Sequence, residues 1–126
     1  MNELVRKIQL PKIIDYRGSL SFLESKKHIP FSIRSTSLIT NSSFATDYNT
    51  FIENSVEEFL VVLSGCVDFR IRYDELEKDF TLNNPNEGLY IPERAKIRVG
   101  NFSTNIILLV LHASEDDKQK LGKKMF

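Results

Sequence analysis

Short apolar or alternating segments recur along the chain at intervals of roughly ten residues, separated by clusters of Gly, Pro, Asn and Ser. This pattern constrains the fold more than any other feature, because the strands of a β-sandwich or barrel are short, evenly spaced and bounded by turn-forming residues. Before residue 115 no segment has a convincing helical period. The sequence therefore predicts an all-β protein with strands at Val5–Leu10, Ser19–Glu24, Ser32–Thr40, Glu57–Leu63, Val67–Tyr73, Asp79–Leu82, Gly88–Ile91, Lys96–Asn101 and Asn105–His112.

The chain length of 126 residues suits a single domain, residues 1–126, that buries roughly two-thirds of the surface its unfolded chain exposes. The segment Glu115–Lys124 is highly charged, and we expect a short C-terminal helix or a frayed tail there.

The chain contains 17 basic and 17 acidic residues, so no overall field attracts nucleic acid or an anionic membrane. The longest apolar run, Ile106–Leu111, is far shorter than the roughly 20 residues that cross a bilayer. The single cysteine, Cys66, cannot form an internal disulfide, and the N-terminal residues lack the long apolar core of a signal peptide. We therefore expect a cytoplasmic protein with neither a nucleic-acid nor a membrane partner.

The dipeptide Ser64-Gly65 separates two strongly apolar segments and predicts a β-hairpin between them, because glycine supplies the positive φ of a tight turn. In the second of these strands, alternation places Asp68, Arg70 and Arg72 on one face and apolar side chains on the other. That strand is predicted to be half buried.

Glu58 and Gly65 have the Glu-x6-Gly spacing of the first cupin motif, and Pro92 and Asn101 fit the second. The positions at which that motif carries its histidine pair hold Phe51 and Glu53. Ile97 falls where a third histidine belongs. Two carboxylates without an imidazole make a weak transition-metal site, so we expect no tightly bound metal and no cofactor.

Several short sequence motifs extend this similarity along nearly the whole chain. In order, they are Leu10–Lys12, Arg17–Phe22, His28–Phe31, Glu58–Leu60, Leu63–Gly65, Gly88–Pro92 and Asn101–Ser103. In these motifs the chain resembles the small cupins that isomerise dTDP-4-keto-6-deoxyglucose to its 3-keto isomer. The resemblance implies a jelly-roll barrel, a dTDP-sugar ligand, metal-independent chemistry in the synthesis of deoxysugars for surface polysaccharides, and a homodimer that often exchanges an N-terminal strand.

The chain departs from this family where the family's chemistry is carried out. The family's Arg-Gly-x-His-x-His segment, whose histidines shuttle protons between sugar carbons, falls on Tyr48, Phe51 and Glu53. Its tyrosine-bearing strand reads Ser37-Leu38 here. The replacements are concentrated in the expected sugar site, whereas the motifs that form turns and pack in the core are kept.

Glu53 and Glu58 are the candidate catalytic residues. A carboxyl in a partly apolar pocket can have its pKa raised enough to act as base and then acid, and a second carboxylate nearby can share its proton. The alternative is that Glu53 lies on a solvated loop edge.

The candidate residues for binding a nucleotide sugar are cations that suit phosphate oxygens and aromatics that stack on a base or cover a sugar face. They are Arg17, Tyr48, Phe51, Arg70, Arg72 and Arg98. As alternatives, Arg17 forms a salt bridge to a neighbouring strand, the alternating charges of Arg70, Arg72 and Arg98 on half-exposed strands need no function, and the aromatic at position 51 fills the barrel. His28, His112 and Cys66 have no evident partner at ligand spacing and are interpreted as structural.

The leading functional hypothesis is a cupin that binds a dTDP-4-keto-6-deoxyhexose. It is either an isomerase that uses Glu53, or a catalytically silent sensor or partner subunit. A β-barrel interaction module without a small ligand is the remaining alternative, since fold does not imply function.

Overall fold

The computed structural model describes residues 5–21, 23–24, 27–40 and 51–114 of the chain. Tyr48 and the charged segment Glu115–Lys124 lie outside these ranges, and so do the predictions made for them. The strands are β1 (Arg6–Gln9), β2 (Lys12–Asp15), β3 (Gly18–Ser21), β4 (Ile33–Thr40), β5 (Ile52–Glu53), β6 (Glu58–Ser64), β7 (Val67–Tyr73), β8 (Leu76–Leu82), β9 (Glu87–Ile91), β10 (Lys96–Gly100) and β11 (Ile107–Ala113). The all-β prediction is confirmed. Nowhere in these ranges does a helix occur that is long and apolar enough to span a membrane.

The strands form two principal antiparallel sheets. One has five strands in the order β1-β9-β6-β11-β4, and the other has four in the order β5-β10-β7-β8. A separate two-stranded sheet pairs β2 with β3. β8 approaches β9 across the sandwich, so the opposite ends of the two large sheets, β4 and β5, lie on the same side of the molecule.

The main core lies between the two large sheets, because its side chains come from β6, β9 and β11 on one side and from β7, β8 and β10 on the other. In β7 the buried residues Val67, Phe69 and Ile71 alternate with polar ones, as predicted. Ile97, at which the motif spacing predicts a third histidine, is also part of this core.

A second apolar cluster covers the opposite face of the five-stranded sheet. Phe59 and Tyr90 project from that sheet and pack with Ile29 and Phe31 of the N-terminal region. β6 is therefore buried on both faces, which explains why its sequence reads as a continuous apolar run.

The hairpin predicted at Ser64-Gly65 is wrong, although the turn itself exists. Gly65 has a φ of +84°, but β6 and β7 belong to different sheets, so the turn carries the chain from one sheet to the other. Both edges of β7 are already paired, with β8 and β10. The hairpin partner of β7 is instead β8, with Tyr73 paired to Leu76 around a turn in which Asp74 has a φ of +57°.

Two strands were absent from the sequence-based prediction. β5 has only two residues and forms by pairing with β10, which places Glu53 opposite Lys96. β2 is exposed at every position, so it has no inward and outward alternation that a sequence pattern could display.

Candidate functional site

Glu58 begins β6 and points into the space between the two large sheets, on the same face of the strand as the core residues Leu60 and Val62. It pairs in register with His112 of β11. The His112 Nδ1 atom lies 3.1 Å from Glu58 Oε2, and the two side chains are only 2% and 3% exposed. A carboxyl group and an imidazole therefore meet inside an otherwise apolar core.

Ser37 of β4 completes a chain of three polar groups from three adjacent strands. Its Oγ lies 3.0 Å from His112 Nε2, on the side of the ring away from Glu58. An ionised carboxylate only accepts, which favours a proton on Nδ1 and leaves Nε2 to accept the hydroxyl proton of Ser37. We call this carboxylate–imidazole–hydroxyl arrangement the interior cluster: Glu58, His112 and Ser37.

The interior cluster is not fully satisfied by the protein. Glu58 Oε1 is buried and has no hydrogen-bond partner among the described residues, and the short Nδ1–Oε2 contact lacks the alignment of a hydrogen bond. Buried polar atoms in native proteins are seldom left in this condition. The cluster thus retains capacity to bind a further polar group.

The structure does not bring Glu53 and Glu58 together. Glu53 is exposed on β5 of the four-stranded sheet, whereas Glu58 is buried on β6 of the five-stranded sheet. Because Ile52 pairs with the inward-facing Ile97, alternation turns the neighbouring side chains of Phe51 and Glu53 outward. The two positions at which the motif spacing predicts a histidine pair thus face away from the barrel interior.

Glu53 borders a groove of about 540 Å³ whose other acidic residues include Glu57 and Glu93. There the Tyr90 hydroxyl donates a 2.5 Å hydrogen bond to Glu57 Oε2. Burial, followed by this hydrogen bond, raises the pKa of Tyr90 well above its usual range. Tyr90 is consequently a fixed donor that holds Glu57 in place and does not titrate near neutral pH.

Phe51 does not fill the barrel as the alternative interpretation expected. Its ring centroid lies 4.0 Å from the guanidinium carbon of Arg72 and 5.2 Å from that of Arg98. Both arginines belong to the outward face of the four-stranded sheet, so cation–π contacts hold the aromatic ring at the rim of that sheet.

Three of the arginine candidates, Arg17, Arg70 and Arg72, form ion pairs. The Arg70 guanidinium binds Asp79 with N–O distances of 2.7 and 2.9 Å, in a shallow outer groove of about 400 Å³ to which Arg98 also contributes. Arg17 binds Asp15 at 2.6 Å within its own turn. Arg17 thus forms a salt bridge, but within its own turn and not to a neighbouring strand as its alternative interpretation expected. A role of these arginines in ligand binding stays a prediction.

Sequence reasoning missed His112 as a site residue. Its two partners are far away in the chain and meet it only through strand register, so no local spacing could reveal them. His28, by contrast, accepts a 2.8 Å hydrogen bond from the backbone N–H of Glu24, which agrees with its structural interpretation. No group of three His, Cys, Asp or Glu side chains suited to a metal ion occurs within the ranges that the structure covers.

Two facing antiparallel sheets that enclose a polar cluster define a small cupin jelly-roll barrel. Residues 3–120 match the family described as FdtA, WxcM-like, C-terminal. A curated relative, the TDP-4-oxo-6-deoxy-alpha-D-glucose-3,4-oxoisomerase of Aneurinibacillus thermoaerophilus, is 30% identical over 111 residues, which cover 88% of this chain and 80% of the relative. The chain therefore belongs to the FdtA family of WxcM-like sugar ketoisomerases.

Solved structures support the same assignment. The TDP-quinovose 3,4-ketoisomerase WlaRB of Campylobacter jejuni is 30% identical, with a TM-score of 0.76 over 94% of this chain and 91% of that enzyme. A mutant of the 3,4-ketoisomerase QdtA of Thermoanaerobacterium thermosaccharolyticum, in complex with TDP-4-keto-6-deoxyglucose, is also 30% identical, with a TM-score of 0.75 over 94% of this chain and 86% of that enzyme.

Proposed function

We propose that this chain binds a dTDP-4-keto-6-deoxyhexose and serves deoxysugar and surface polysaccharide biosynthesis. The observation that carries the proposal is the similarity, over most of both chains, to a ketoisomerase structure in complex with TDP-4-keto-6-deoxyglucose. The replaced histidine positions do not argue against binding, since binding and proton transfer use different groups.

The side of the sandwich where β4 and β5 form the sheet edges is the proposed binding region. Ser37 of β4 directs a half-buried hydroxyl inward, and at the rim Phe51 lies between Arg72 and Arg98. A sugar beside Ser37 would place the nucleotide toward this rim, where an aromatic ring suits a base and a guanidinium suits a diphosphate.

Two further features of the proposal concern the state of the protein in the cell. We place the protein in the cytoplasm, where the exposed, unpaired Cys66 suits a reducing compartment. We also propose a homodimer, in which the exposed strand β2 packs against a second copy.

Binding can be measured by thermal unfolding in the presence of dTDP. A ligand that binds only the native state, at 100 times its dissociation constant, stabilises that state by about 2.7 kcal/mol. We expect the unfolding temperature to rise with dTDP concentration and to rise far less with UDP at the same concentration. An unfolding temperature unmoved by millimolar dTDP would contradict the proposed function.

The rim can be tested by the variant Arg98→Ala. Arg98 stacks on Phe51 but forms no ion pair among the described residues, so its removal leaves few structural partners unpaired. If the rim binds the diphosphate, Arg98→Ala should weaken dTDP binding about tenfold or more, which is the usual scale for a charge-assisted hydrogen bond. Glu75→Gln, at the exposed β7–β8 turn, is the control and should leave the affinity unchanged.

A further inference from the structure

The interior of the barrel contains an imidazole although the family's histidine positions do not. Phe51 and Glu53 face outward on β5, and the buried charged or polar residues within the described ranges are Asn54, Glu58 and His112. Of these, only His112 carries an imidazole, the side chain that most often takes and returns a proton in catalysis. A proton-transfer group in the interior would therefore have to come from β11 and not from β5.

We propose that His112 is the acid-base residue of a 3,4-ketoisomerase reaction in this chain, with Glu58 as its positioning residue and Ser37 as its contact to the sugar. This inference rests on the proposed binding of a dTDP-4-keto-6-deoxyhexose. It assigns catalysis to a residue on a strand that does not carry the family's histidine pair.

The geometry of the interior cluster supports this assignment. The Glu58 carboxylate lies 3.1 Å from Nδ1, and the hydrogen bond between Ser37 and Nε2, 3.0 Å long, directs Nε2 toward β4. β4 is the edge strand of its sheet, and Ser37 is the least buried member of the cluster. Ser37 is therefore the member of the cluster nearest to solvent, and its hydroxyl can rotate between staggered positions at little cost in free energy.

Keeping a buried polar cluster costs folding free energy, and a function would explain why this one is kept. Breaking or leaving unsatisfied a buried charged pair is strongly destabilising, whereas apolar side chains of similar volume often stabilise the same space. Glu58 Oε1 is left without a partner in the described ranges, so the cluster is not arranged for maximal stability. Polar groups that break the local rules of packing occur preferentially at functional sites.

The reaction balances with these three residues. His112 Nε2 takes the proton from sugar C3, the C–H electron pair forms the C3–C4 double bond, and the C4 carbonyl oxygen becomes an enediolate oxygen. Ser37, turned toward the sugar, donates a hydrogen bond to that oxygen, and Glu58 stabilises the imidazolium. The proton of the C3 hydroxyl moves to the C4 oxygen, and His112 returns its proton to C4, which leaves a ketone at C3.

The test follows the exchange of sugar protons in deuterated water by NMR, with the full chain and dTDP-4-keto-6-deoxyglucose. Wild-type protein should incorporate deuterium at C3 and C4. His112→Asn should slow this about 10²- to 10⁴-fold, the usual contribution of general acid-base catalysis, without weakening dTDP binding. Glu58→Gln should lower kcat with KM unchanged, because it acts only through the ring.

The double variant Glu58→Leu/His112→Phe distinguishes a loss of catalysis from a loss of folding. It replaces the buried pair with apolar side chains of similar size, so the protein should stay folded and bind dTDP while exchange is abolished. Thr36→Ala is the matched control for Ser37→Ala: both residues lie on β4, but Thr36 pairs with Leu111, is exposed and lies on the opposite face of the strand. Only Ser37→Ala should slow exchange.

The outcomes separate the two proposals. Wild-type protein that binds dTDP but catalyses no exchange would overturn the assignment of His112 and leave the binding function standing, as would exchange that persists in the folded double variant. Wild-type protein that does not bind dTDP would overturn the binding function and the assignment of His112 with it.

Discussion

At the scale of single residues, the outer and inner surfaces of the barrel use charge in different ways. On the outer face, Arg70 neutralises Asp79 through two hydrogen bonds, and this contact lowers the pKa of the Asp79 carboxyl. Both groups are in solvent, where such a pair contributes little to stability. In the interior, the pair of Glu58 and His112 is almost completely removed from water, so removing one partner leaves an uncompensated polar group in an apolar core.

The lowered pKa of Asp79 predicts a pH dependence of stability. A carboxyl whose pKa is lower in the folded state stabilises that state above its ordinary value of 3.8, and this contribution is lost as the pH falls through the folded-state value. Asp79→Asn should therefore unfold at a slightly lower temperature than wild type near neutral pH, and the difference should vanish in strong acid. Thermal unfolding followed by circular dichroism across the acid range measures this, with Glu75→Gln as the control. A difference that persists in strong acid would contradict the prediction.

The sequence could predict which face of a single strand is buried, but not which residues meet across the barrel. Alternation in β7 correctly assigned Phe69 to the core and Arg70 to the surface. The contact between Glu58 and His112 depends on the pairing of β6 with β11, and a shift by one residue would separate them. For the same reason, the outward direction of Glu53 on β5 could not be read from its position in a motif.

At the scale of elements, the connection between β6 and β7 determines how the two sheets are joined. Gly65 has a positive φ, and a Cβ atom there would lie 2.2 Å from Ser103 Oγ and 3.2 Å from the backbone Cα of Ile106. The glycine correctly predicts a tight turn, but the hairpin predicted from that turn is wrong. A tight turn with glycine is compatible with a hairpin or with a crossing between sheets, and long-range pairing of the flanking strands decides between them.

Gly65→Ala should destabilise the protein clearly. The positive φ alone costs about 1–3 kcal/mol for a residue with a side chain, and the clash with the Ile106 backbone adds to it. Gly100→Ala is the matched control, because it lies at the end of β10 and a Cβ atom there would meet nothing within 4 Å. Its effect should stay within about 1 kcal/mol. Chemical denaturation of both variants measures the difference, and equal effects would show that the Gly65 turn is not strained by a side chain.

At the scale of the whole molecule, strand β2 stands out because it is exposed at every position. Ile13 and Ile14 follow each other in β2 and so point to opposite faces, yet they are 53% and 71% exposed. Tyr16 at the turn is 94% exposed. A two-stranded hairpin is marginal in water by itself, and exposed apolar side chains on both faces indicate that another surface packs against it. This is the structural support for the proposed homodimer.

Ile14→Asp should convert the protein from a dimer to a monomer. An aspartate at an interface core costs the apolar contact and buries an unpaired charge, whereas the same change in an isolated, solvent-exposed hairpin has little effect on folding. Size-exclusion chromatography with light scattering, at several protein concentrations, measures the mass of both forms. Asn83→Asp, at an exposed position after β8 and away from the hairpin, is the control for added negative charge and should leave the dimer intact. A wild-type mass equal to one chain at every concentration would reject the dimer. A dimer that survives Ile14→Asp would show that the two copies meet through another surface.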